Sequence, residues 1–69
     1  MVDQLFAAPA RTLTDPKDLR WDQAQAEAKL RRPWIKRIEA GSGRVSAAVV
    51  AEYEWQTARL NALVRRIGT

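Results

Sequence analysis

The stretch that most constrains this chain is its last third, residues 45–67, which reads as one helix with apolar residues on two sides. On a wheel of about 100° per residue, Val45, Val49, Tyr53, Leu60, Leu63 and Ile67 fall in one stripe. Ala48, Ala51, Trp55, Ala58 and Ala62 repeat at steps of three and four on another. One partner helix covers one stripe. The second needs a further surface, so the pattern describes a part that docks.

The segment available to cover the first stripe lies upstream. Asp15 suits an N-cap, Pro16 the first helical position and Asp18 the reciprocal place in a capping box. The spacing therefore predicts a helix from Pro16. Its main apolar stripe is Leu19, Ala26, Leu30, Trp34 and Ile38, and a smaller side carries Trp21, Ala24, Ala28 and Ile35. Glu27 stands four residues before Arg31, a favourable order for a helix-surface pair. Pro33 conflicts with the pattern, because it removes a donor and crowds the preceding turn. The expectation is a helix kinked or broken there. Gly41 suits a left-handed helix end, and Ser46 can cap the next helix behind a staple of Val45 and Val50.

Folding the last helix back brings Arg65 and Arg66 toward Asp15, Asp18 and Asp22. Caps, stripes and charged ends agree on an all-α fold, an antiparallel helical hairpin over residues 15–69. Residues 1–14 show no period and are interrupted by Pro9. They read as an extended N-terminal arm, either frayed or ordering when Leu5 and Phe6 enter a groove on a partner.

At 69 residues there is room for one small core. Cysteine and histidine are absent, which removes thiolate chemistry and the commonest metal ligand and general base. The aspartates are accounted for by capping, and Glu52 and Glu54 lie on different sides of their helix. The expectation is a non-enzymatic protein with no catalytic residues, metal, cofactor or small-molecule substrate. No apolar run approaches a membrane span and no signal-peptide pattern opens the chain. That suits a cytoplasmic protein or one assembled into a larger particle.

Net charge is +4, with acids early in the first helix and bases later. Lys29, Arg31, Arg32, Lys36, Arg37 and Arg44 surround Trp34. Such a cluster can neutralise phosphates, and an exposed tryptophan can stack on a base. The alternative function is therefore a small nucleic-acid-binding, helix-turn-helix-like module using Arg31, Arg32, Lys36, Arg37 and Arg44. Two short resemblances bear on it. RIEAGSGR, residues 37–44, resembles the Arg-Ile-x-x-Gly-Ser-Gly signature of the RNA-binding M domain of signal recognition particle proteins. That resemblance implies Arg37, Gly41, Ser42 and Gly43 as contacts or turn formers. It spans eight residues, and the methionine-rich groove of that family has no counterpart, Met1 being the single methionine. IKRIEAGSGRVS, residues 35–46, is similar to part of a bacterial repressor helix-turn-helix, with a longer turn. Neither match assigns the chain to a family.

The leading expectation is an interaction protein that self-associates or docks as an accessory subunit on a larger assembly, such as a virion component. Trp21, Ala51, Trp55 and Ala58, with Leu5 and Phe6 of the arm, would meet the partner.

Overall fold

The computed structural model describes residues 8–41 and 45–68. Two helices form an antiparallel hairpin: α1, Trp21–Ala40, and α2, Ala47–Gly68. An extended arm, residues 8–15, leads through a single 3-10 turn, Pro16–Asp18, into α1. Among the described residues no helix is long and apolar enough to cross a membrane. Leu5, Phe6, Ser42, Gly43 and Arg44 lie outside the described residues.

The first helix starts later than its capping signals suggest. Asp15 accepts from the Lys17 amide through Oδ1, as an N-cap should. The turn it caps closes after one round, because Leu19 and Arg20 return to extended backbone. The helix restarts at Trp21, where Gln23 Oε1 accepts from the Arg20 amide at 2.9 Å. Of the two outcomes open at Pro33, α1 takes the continuous one and runs through to Ala40. Pro33 and Lys29 are both exposed, so water can solvate the carbonyl that the proline leaves without a donor. Gly41 has φ −66°, not the left-handed conformation expected of it. Ser46 caps α2 as expected, its Oγ accepting from the Val49 amide.

The seam repeats at three and four residues, as between coiled-coil helices. From α1 it takes Ala24, Ala28, Arg31 and Ile35, with Trp34 beside them, and from α2 Val49, Gln56, Arg59 and Leu63. The inward face of α1 is thus the side read as minor. Leu30, placed on the main stripe, is 60% exposed, and Ala26 is exposed as well. On α2, Val49 and Leu63 are buried as expected and Tyr53, Leu60 and Ile67 are half-buried, while Val45, just ahead of the helix, is exposed. An apolar cluster of Ala24, Ala28 and Leu63, flanked by Leu19, Leu60 and Ile67, fills the end away from the loop. Trp34, Ile35 and Val49 are buried toward the loop end. Between these apolar ends lies a charged waist.

Side chains also tie the ends together. Arg66 Nη2 donates to the Leu19 carbonyl, and Trp21 Nε1 donates to the Ile67 carbonyl. Near the loop, the Tyr53 hydroxyl donates to Glu39 Oε2 at 2.6 Å, and this hydrogen bond to a carboxylate favours the protonated phenol and holds its pKa above the ordinary value.

Candidate functional site

The waist is built on Glu27. This carboxylate accepts from Arg59 Nε at 2.6 Å and Nη2 at 3.2 Å, from Arg31 Nε and Nη2, and from the Thr12 hydroxyl. Arg31 is fully buried and Arg59 is 9% exposed. Two guanidiniums in a small core share one carboxylate, so neutral acceptors must take their remaining donors. Arg31 Nη1 donates to Gln56 Oε1 at 2.6 Å. Gln56 in turn spends its amide N–H groups on the Pro9 carbonyl and Glu52 Oε2, both at 2.7 Å.

The arm supplies the rest. Arg31 Nη2 donates to the Ala10 carbonyl and the Thr12 hydroxyl, each at 3.1 Å, and Arg59 Nη1 donates to the Thr14 carbonyl. Outside this layer, Arg11 forks onto Glu52, with Nη2 at 2.8 Å from Oε1. The Arg11 and Arg31 guanidinium carbons stand 5.0 and 5.4 Å from the centroid of the Trp55 ring, within cation–π range. The arm is therefore the third side of the waist.

Burial alone would push the Glu27 carboxyl up. The hydrogen bonds from Arg59, Arg31 and Thr12, with the charge of Arg59, outweigh it and hold the pKa at about 2. Glu52 is also held below the ordinary carboxylate range, first by the Arg11 hydrogen bond, against a smaller opposing effect of burial. Carboxylates held ionised by arginines are weak proton acceptors near neutrality, so the chemistry of this layer is electrostatic and structural.

The residues singled out from the sequence are thereby sorted. Trp55 is half-buried beneath Arg11 instead of standing open, while Ala51 and Ala58 beside it are exposed. Trp21 is 52% exposed at the start of α1. Of the basic set, Arg32, Lys36 and Arg37 are exposed, and Arg31 is withdrawn from solvent. Trp34 is buried, and among the described residues its indole N–H has no hydrogen-bond partner, so it is not a face for stacking a base. Sequence reasoning missed Gln56, Arg59 and Thr12, and read Glu27–Arg31 as a surface pair. The available signal was the seven-residue step Val49–Gln56–Leu63, which places a glutamine in the seam.

Compared with protein-family models, curated proteins and solved structures, the chain matches none, so the two short resemblances near the glycine turn gain no support.

Proposed function

We propose that this protein is a small helical docking module that self-associates or seats as an accessory subunit on a larger assembly. One observation carries the reading: the middle of the seam is polar while several large apolar side chains stay exposed. The middle of the seam holds Glu27, Arg31, Gln56 and Arg59, while large apolar side chains stand outside. Leu13 is 93% exposed, Leu30 60%, and Trp21, Val45, Val50 and Val64 are 41–52% exposed. A single exposed leucine means little, but large side chains left outside so small a core are surface for a partner.

The edge beside the arm suits close approach. Ala51 and Ala58 are exposed and short, so a helix can lie near the α2 backbone there, with Trp55 between them as a half-covered aromatic anchor. Leu13 rises from the arm between Thr12 and Thr14.

Sedimentation of the full chain, with Leu13→Asp and Ala58→Glu compared against it, tests the reading. Neither position is buried, so helicity should be retained while association is lost. A wild-type chain that stays monomeric and captures nothing on co-purification would remove it. The basic face retains Arg32, Lys36 and Arg37 but lacks Arg31 and Trp34, so it supports nucleic-acid binding less well than docking. Tight, salt-sensitive retention on heparin that disappears with Arg32→Ala and Lys36→Ala would reverse that order.

A further inference from the structure

The outer side of α2 carries a row that the hairpin leaves uncovered. Ala51, Glu54, Ala58, Asn61, Arg65 and Gly68 follow one another at alternating steps of three and four, and all are exposed. They lie across the helix from the buried residues Val49, Gln56 and Leu63. A mean step of 3.5 keeps such a row facing a neighbouring helix along its whole length, as in a coiled coil. Half-buried Trp55 borders it on the arm side, and Val50 and Val64, 41% and 42% exposed, border it on the other. The row holds one acid and one base. Among the described residues neither Glu54 nor Arg65 has an ion pair or a side-chain hydrogen bond. They stand about 16 Å apart along a single helix, so they cannot meet within one chain.

We propose that this row receives α2 of a second copy, antiparallel, about a two-fold axis level with the Arg59–Leu60 peptide. This rests on the docking reading above and names the occupant of that edge. Charge complementarity selects the occupant, because the row is its own complement in one register. With Glu54 opposite the second copy's Arg65, Ala51 falls opposite Gly68 and Ala58 opposite Asn61. Opposite charges then meet twice, once on each side of the axis, and each larger side chain except that pair faces a small one. A parallel pairing would set Glu54 on Glu54 and Arg65 on Arg65. The antiparallel one also opposes the two helix dipoles. Alanine and glycine let the helix axes approach to about 8 Å, the close end of helix packing. The two copies of Asn61 stand about 4.5 Å apart along the axis direction, within reach of each other's amides, and a polar residue in a seam fixes register. The contact is one helix long, about 26 Å, so the dimer is of the weak, exchanging class.

A charge-reversal cycle on the full chain tests this. Glu54→Arg or Arg65→Glu alone sets like charges at both contacts, whereas the two together restore opposite charges and keep the net charge of +4. Sedimentation equilibrium from about 5 µM to about 500 µM should show a dimer. Each single variant should weaken it at least about tenfold, the double variant should return it to within about threefold of wild type, and high salt should narrow the differences. A dimer indifferent to the single variants, or a double variant as weak as they are, overturns this contact and leaves the docking reading standing. A wild-type chain monomeric throughout overturns it too, and the docking reading falls with it only if co-purification also captures nothing. If a variant loses helicity by circular dichroism, Asn61→Cys and Gly68→Cys chains replace the cycle, since the chain has no native cysteine. A short bismaleimide should then join two Asn61→Cys chains but not two Gly68→Cys chains, whose thiols lie about 26 Å apart in this register. Equal yields refute the arrangement.

Discussion

Replacing Glu27 by glutamine keeps the shape of the side chain and removes the one negative charge that Arg31 and Arg59 share. The cost can be worked in two ways. The carboxyl pKa falls from 4.5 to about 2 on folding. Such a depression corresponds to a ceiling of about 3 kcal/mol, since each unit is 1.36 kcal/mol. With the side chain 14% exposed, solvent screening reduces that to about 2 kcal/mol. Independently, breaking one partner out of a buried ion pair costs about 3–5 kcal/mol, mostly the penalty of the charge left behind. Glutamine still offers an acceptor oxygen, so the lower end applies, and about 2–3 kcal/mol is expected. A domain of this length is held by roughly 0.05–0.15 kcal/mol per residue, so Glu27→Gln should remove a large fraction of its stability. Urea unfolding followed by far-ultraviolet circular dichroism measures this through the midpoint. The sign with pH is fixed as well. Glu27 has a depressed folded pKa, so its contribution is full above about 4.5 and is lost as pH falls toward about 2. The gap between wild type and Glu27→Gln should therefore close across that window. A loss below about 0.5 kcal/mol near neutrality, or a gap that stays constant down to about pH 2, refutes the account of the waist.

Further outcomes follow from the same packing. Replacing the three charged residues together, Glu27→Met with Arg31→Met and Arg59→Leu, should recover the stability lost in Glu27→Gln, because matched apolar groups avoid the desolvation cost. It should also loosen the arm, and limited trypsin digestion after Arg11 should then be faster than in wild type. Leu30→Asp should change the unfolding midpoint little, within about 0.5 kcal/mol, whereas Leu63→Ala should cost about 2–5 kcal/mol; equal effects would contradict the inward face assigned to α1. Pro33→Ala should raise the melting temperature, since it restores a donor to the Lys29 carbonyl in an unbroken helix, worth about 1–3 kcal/mol after the added freedom of the unfolded chain is subtracted. An unchanged or lower melting temperature would show that the helix has adapted fully to the proline.

The amino-acid sequence by itself determined the two helices, the Ser46 cap of α2, the antiparallel pairing and the extended arm, whereas the Asp15 cap it offered for the first helix closes only the short turn ahead of it. These follow from local chemistry: short polar side chains satisfying first-turn amides, and apolar residues recurring at helical spacing. It also made Trp55 conspicuous, although not what would lie over it. Only the tertiary structure decided which face of α1 turns inward. Reading apolar residues alone pointed to Leu30, one position away from Arg31, and about 100° of rotation separates the two. Burial of arginine is unfavourable until a carboxylate, a glutamine and backbone carbonyls converge on it, and those partners come from positions up to 45 residues away. Spacing along α2 places Gln56 in the seam, but it does not show which carbonyls and carboxylate converge there. The arm likewise has no period of its own, and its order comes from the donors that the closed hairpin leaves waiting for acceptors.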